Sequence, residues 1–177
     1  MHPEGKTARS AQQAAEREVI RHANTVLAHG KARGWLNVLV KVGFRPGYHE
    51  LPTWSPMFGK AKEFGALALG GSDTDFHPDL DADLADVVIE KPRVNGFYGT
   101  PMESLLRAQE IDTLAVAGVS TTWAVQSFVR DAHDRDFRVF VIEDACAAVS
   151  AEEHRASIDM LRSISRVISI ADLPDIG

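Results

Sequence analysis

Cysteine is almost missing from this sequence: Cys146 is the single one. One thiol allows no intramolecular disulfide framework and no Cys-based zinc cluster, which points to a reducing, cytoplasmic setting. Long apolar runs are missing too. No stretch approaches the roughly 18 apolar residues that cross a bilayer, and the opening MHPEGKTARSAQQ lacks the apolar core of a secretory leader. The reading is a soluble protein with no membrane partner. A basic excess is also lacking: 19 Lys and Arg stand against 25 Asp and Glu, a net charge of −6, and the cations are scattered singly. Such a chain has no basic face to follow a phosphate backbone, so nucleic acid is excluded as a partner. Internal repeats, low-complexity tracts and linkers are absent, so residues 1–177 read as one domain. A hydrophobic content of 45% suffices for its core.

What is present is alternation. QQAAEREVIRHANTVLAHGKARG places Ala15, Val19, Ile20, Ala23, Val26 and Leu27 on one helical stripe, with Gly30 and Gly34 as stop signals. WLNVLVKVGF follows as a largely buried strand. Residues 45–79, rich in Pro, Gly and aromatics, carry no sustained period and read as a long, lid-like excursion of the kind that covers sites. ADVVIEK is a short strand. GTPMESLL then starts a helix, with Thr100 as N-cap, Pro101 at the first helical position and Glu103 two positions later. DTLAVAGV is a strand, and Val125, Phe128, Val129 and Ala132 mark the helix after it. RVFVIEDA is a strand, Ser150 and Glu153 form a capping pattern before HRASIDMLRS, and RVISIADL closes the series. Strands alternating with helices predict a doubly wound, mostly parallel α/β fold with helices on both sheet faces, a three-layer, Rossmann-like arrangement. Ligands in such sheets lie outside the carboxyl ends of strands, which here are the turns after Glu90 and after Gly118.

Three stretches, EKPRVNGFYGTPMESLL, LAVAGVSTTWAVQSFVRDA and RVFVIEDACAAVSAEEH, together resemble the isochorismatase-like (cysteine hydrolase) superfamily. The first is similar to a motif in which a strand ends in Lys and Phe follows six positions on. The second is similar to the nucleophile motif G-V-[AS]-T-x-x-C-V with D-A seven residues after the Cys. The third is similar to the strand, Asp-Ala turn and last helix that follow. By this resemblance Lys91 matches the catalytic lysine. An ammonium at a partly desolvated strand end can have its pKa lowered and can take part in proton transfer. The turn at Val119, Ser120 and Thr121 matches the oxyanion site, where a cis peptide between Val119 and Ser120 is implied and the N–H groups of Ser120 and Ala124 become the donors. Phe97, Arg93 and Trp123 are candidate substrate contacts, with Arg45 beside Arg93 as a second candidate carboxylate partner and Tyr98 as a further residue that could line a pocket. Each has an ordinary reading as well: a lysine ending an edge strand, a plain strand-to-helix turn, aromatics packed under a loop, solvated arginines.

Two departures from the family pattern matter. The nucleophile position holds Ala124, a methyl group, so no thiolate attacks from there. Cys146 does not replace it, because it falls in the DACAA turn after the next strand, where small residues pack. Ser120, Thr121 and Thr122 offer hydroxyls out of position and without an evident base. The family's N-terminal strand ending in a catalytic Asp is also unmatched: no Asp precedes Asp73, and Glu4, Glu16 and Glu18 do not fit. That strand is central in the family's sheet, and its omission would leave two edges with unpaired backbone groups, at about 1–3 kcal/mol for each buried one. The expectation is that the true start lies upstream of Met1, or that the sheet closes some other way; MHPEGK would sit naturally just after such a strand.

The resemblance implies a hydrolase acting on a small carboxylate or amide-like metabolite, more readily by Asp/Lys acid catalysis of the vinyl-ether type than by a Cys nucleophile. The competing reading is an inactive family member that serves as a binding or scaffold protein. No cofactor is implied, and no metal: zinc or iron calls for about three protein ligands, and neither His49 in VGFRPGYHELP nor His77 in FHPDL makes a site by itself. A homo-oligomer, dimer or tetramer, is implied by the resemblance only.

Overall fold

Strand and helix alternate in the computed structural model, which describes residues 9–176. Glu4 and the MHPEGK stretch lie outside the described residues. In chain order the elements are α1 (Ala11–Glu16), α2 (Val19–Arg33), β1 (Val38–Val42), β2 (Val87–Lys91), α3 (Met102–Ala108), β3 (Thr113–Val119), α4 (Gln126–Asp134), β4 (Arg138–Ala147), α5 (Ala151–Leu161) and β5 (Arg166–Ile168). All strand pairs are parallel, as crossover helices require. Val38 through Val42 of β1 pair with Val87 through Lys91 of β2, and β4 lies between β3 and β5. Among the described residues these make two sheets, β1-β2 and β3-β4-β5. Each of β1 and β3 therefore has a strand partner on one edge only.

The layering follows from side-chain alternation along β4. Val139 and Val141 join a core with Met102 and Leu106 of α3, Val129 and Ala132 of α4, and Ile158 and Leu161 of α5. Phe140 and Ile142 face the opposite way, toward Val26 of α2, Trp35 and Leu173. Two cores on two faces of one sheet give the α/β/α arrangement. The first core also takes in Ile89 of β2 with Val38 and Val40 of β1, so it spans both sheets. No helix among the described residues is long and apolar enough to cross a membrane.

Four local expectations need correction. The first amphipathic stripe is two helices: Glu18 takes φ 51° between them, and Ala14, not Ala15, is buried. The break lets Arg17 donate from Nε to the Cys146 carbonyl (2.8 Å) and from a terminal nitrogen to the Glu143 carbonyl (3.0 Å), a tertiary demand overriding helix propensity. Gly30 does not stop α2. It gives room to Asn37, whose Oδ1 would lie 2.4 Å from a Cβ there, while Gly34 ends the helix at φ 70°. Strand β4 runs on through Cys146, which pairs with Gly118 and so lies in a strand instead of a turn. Pro101, not Thr100, stands at the N-cap of α3; Thr100 lies one residue earlier and accepts from the Met102 N–H (3.3 Å), while Glu103 faces away to Arg135. The stretch from 45 to 79 has a small core of its own around Phe44, Leu51, Phe58 and Leu67, a β-bridge from Phe44 to Ala68, and side-chain bonds from Arg93 to the Glu50 carbonyl and from Asn24 of α2 to the Asp79 carbonyl (2.8 Å).

Candidate active site

Lys91 is the last residue of β2, at the strand's carboxyl end, and only 8% exposed. Alternation along VVIEK turns Ile89 and Lys91 inward, so the register that buries the isoleucine buries the lysine. Its ammonium donates to the Val94 carbonyl. No carboxylate pairs with it among the described residues. Burial pushes its pKa down from 10.5 to about 8, because the charged form loses water without gaining an anion.

The loop after Lys91 is docked on the start of α4. Asn95 donates from Nδ2 to the Ser127 carbonyl (3.1 Å), and the Phe97 ring stacks on Phe128 with centroids 4.7 Å apart. Gly96 permits this approach, since a Cβ there would lie 2.7 Å from the Phe128 ring. The lysine end of the smaller sheet is thereby fixed against the helix that the turn after β3 feeds.

That turn has an unusual backbone. The Val119–Ser120 peptide is cis, and residues Thr121–Val125 form one π-helical turn before α4. Such turns recur at functional sites. The Ser120 carbonyl accepts from both Trp123 N–H (3.3 Å) and Val125 N–H (3.2 Å), with the Ala124 amide between them. The residues behind the turn are held by α5. Oγ1 of the buried Thr121 lies 2.9 Å from Nδ1 of the buried His154, and Thr122 reaches Glu153 (3.4 Å) and Ser157 (3.3 Å). Ser150 caps α5 by accepting from the Glu153 N–H (3.2 Å). His154 was not singled out by the sequence reading. The available signal was its place four and seven residues before Ile158 and Leu161, on the buried stripe of the last helix.

The remaining candidates are placed as follows. Phe97 is buried in the main core, while Trp123, at 55% exposure, and Tyr98 stand in solvent. Arg93 is half-buried and already donates to the carbonyls of Pro92 (2.6 Å) and Glu50 (3.0 Å), with its guanidinium 5.8 Å from the Tyr98 ring centroid. Arg45 is exposed. Cys146 is fully buried and its thiol is pushed up to about 12, mainly by loss of water, so it offers no thiolate near neutral pH. No cluster of three or more His, Cys, Asp or Glu that could hold a metal ion occurs among the described residues. His49 is exposed, and His77 lies 3.8 Å from Asp79.

Chemically, the arrangement offers a proton carrier of lowered pKa and a helix-entry turn of main-chain N–H groups, both at carboxyl ends of parallel strands. Known proteins are similar to this chain over most of its length. The isochorismatase domain family matches residues 7–172. The isochorismatase family protein YecD of Escherichia coli O157:H7 is 34% identical over 164 residues, covering 88% of this chain and 81% of YecD. The ureidoacrylate amidohydrolase RutB of Acinetobacter baylyi is 36% identical over 129 residues, covering 71% of this chain but only 53% of that relative's length. Among solved structures, a cysteine hydrolase from Pseudomonas syringae pv. phaseolicola superposes with a TM-score of 0.84 at 21% identity, over 98% of this chain and 84% of the other. An isochorismatase family protein from Desulfovibrio vulgaris gives 0.81 at 23% identity, over 90% and 84%. These two show the shared fold, and the family match over residues 7–172 together with the YecD relationship shows that the chain belongs to the isochorismatase family.

Proposed function

We propose that this family hydrolase acts on a small carboxylate-bearing or amide-like metabolite by proton transfer through Lys91, with the Ser120–Ala124 turn accepting negative charge and no thiolate involved. The observation that carries the reading is the buried Lys91 amine with its pKa at about 8. At neutral pH such an amine is still protonated, yet it releases its proton roughly 300-fold more readily than an exposed lysine would. A vinyl ether is the substrate class that uses this best. A proton delivered to the terminal alkene carbon leaves an oxocarbenium ion, water adds to it, and the resulting hemiketal collapses to a ketone and an alcohol. The substrate's carboxylate would sit on the main-chain N–H groups of the turn. Relatives named ureidoacrylate amidohydrolase favour amides as the other substrate class, but attack on an amide here has to come from water, since residue 124 is an alanine.

The second reading, a binding or scaffold protein that has lost its chemistry, is favoured by two features. Ala124 carries no attacking group, and no described carboxylate pairs with Lys91. Turnover separates the two. The purified chain is offered isochorismate, ureidoacrylate and simple amides, beside Lys91→Ala. Release of product that falls at least 100-fold in Lys91→Ala supports the hydrolase reading. Binding of any of these compounds without turnover supports the scaffold reading.

A further inference from the structure

Behind the turn lies a buried polar arrangement that this chemistry leaves unused. His154, 2% exposed, meets Thr121, fully buried, through Nδ1 and Oγ1 at 2.9 Å. Its other ring nitrogen, Nε2, has no hydrogen-bond partner among the described residues, although Glu143 Oε1 of β4 lies 3.7 Å from it. A buried nitrogen without a partner costs about 1–3 kcal/mol, so packing gives no reason to keep a histidine here.

The neighbours set the ring's charge and tautomer. Burial and the cations Arg17 and Arg155 disfavour protonation, while Glu143 favours it, and the balance lowers the pKa. Glu143 is also 3.3 Å from Arg162, and its carbonyl is taken by Arg17. On the ring's own helix Glu153 is turned toward Thr122, and Arg130 of α4 reaches only as far as Met160. A neutral ring places its one proton where an acid stands, which is on Nε2. Nδ1 is then an acceptor, and the Thr121 hydroxyl is its donor. No other acceptor for that hydroxyl occurs among the described residues.

We propose that His154 is a positioning residue of the site: neutral, with its proton on Nε2 toward Glu143, it accepts the Thr121 hydroxyl and so holds the Ser120–Ala124 turn in the shape that presents its amides to an anion. This rests on the anion-accepting reading of the turn and adds a pH control to it. When His154 takes a second proton, Nδ1 donates to Thr121 Oγ1 instead, the hydroxyl's own proton is left buried without an acceptor, and that unpaired donor weakens the hold on the turn.

The test uses the full chain and trifluoroacetate, a carboxylate that stays ionised between about pH 5 and pH 7.5, where histidine titrates. NMR reads the His154 ring tautomer, the Ser120 and Ala124 amide shifts on titration, and hydrogen exchange at Trp123 and Val125. Thr121→Ser keeps the hydroxyl; Thr121→Val keeps the shape without it. Expected are an Nε2–H tautomer at neutral pH and trifluoroacetate binding that weakens at least fivefold as His154 protonates. Thr121→Val should bind at least fivefold more weakly with no pH dependence, and Thr121→Ser should restore both. An Nδ1–H tautomer, or the wild-type pH dependence persisting in Thr121→Val, overturns the proposal. If trifluoroacetate moves neither amide in the wild-type protein, the anion-accepting reading fails. The positioning role is then decided by exchange: at least tenfold faster at Trp123 and Val125 in Thr121→Val but not in Thr121→Ser supports it, and equal exchange in the two variants overturns it.

Discussion

Strands β1 and β4 are both apolar runs, yet their surroundings differ. Along β4, Val139, Val141, Ile142, Ala145, Cys146 and Ala147 are buried, whereas no residue of β1 is fully buried. The reason is neighbours. Among the described residues β4 has a strand on each edge and helices over both faces, and β1 has β2 on one edge only. An apolar run therefore reports a strand, and its burial is decided by what lies beside it. The candidate site draws from both regions, Lys91 from the less covered sheet and the cis turn from the better covered one. Their relation depends on the core around Ile89 and on the loop docked at Asn95 and Phe97.

The contrast can be broken in graded steps. The largest loss is expected from Ile142→Ala at the centre of β4, about 2–5 kcal/mol by urea unfolding. Val40→Ala in β1 should cost roughly 1–2 kcal/mol, in keeping with its partial burial; equal losses at the two positions would erase the distinction. Lys91→Met should move stability the other way. Because the folded pKa is about 8 against 10.5 unfolded, the burial penalty is fully present below pH 8. It is relieved as pH rises toward 10.5, where the unfolded chain also gives up its proton. The variant should gain up to about 3 kcal/mol at pH 7, with the advantage fading in alkaline unfolding curves. Asn95→Ala should cost only about 1 kcal/mol but should slow turnover by letting the Lys91 loop leave α4, and unchanged turnover would show that this hydrogen bond does not set the site. The smallest effect is expected at Trp54, 84% exposed, where Ser should change stability by less than about 0.5 kcal/mol.

The strands of ADVVIEK and DTLAVAGV and their parallel order were legible in the sequence, because apolar period and turn residues are local signals. The break at Glu18 was not, since its cause is Arg17 reaching β4 carbonyls more than a hundred residues away. The extension of β4 through Cys146 was missed because small residues after an Asp read locally as a turn, while the pairing with Gly118 is a tertiary fact. His154 was overlooked because a histidine in a helix reads as polar until the stripe it shares with Ile158 and Leu161 is seen to be buried. Lys91 and the Val119–Ser120 turn entered as candidates through the resemblance, and of what it implied there the cis peptide bond is present. The bonds of Arg93 to the carbonyls of Pro92 and Glu50 were not legible, since only the folded loop brings them together.

The account depends most on an ammonium held away from water without an anion beside it. Titration of the Lys91 side chain, followed by NMR at Cε in the folded protein, tests this directly. A midpoint near 8 is the predicted result; a midpoint near 10.5, the value of a lysine in water, would contradict it.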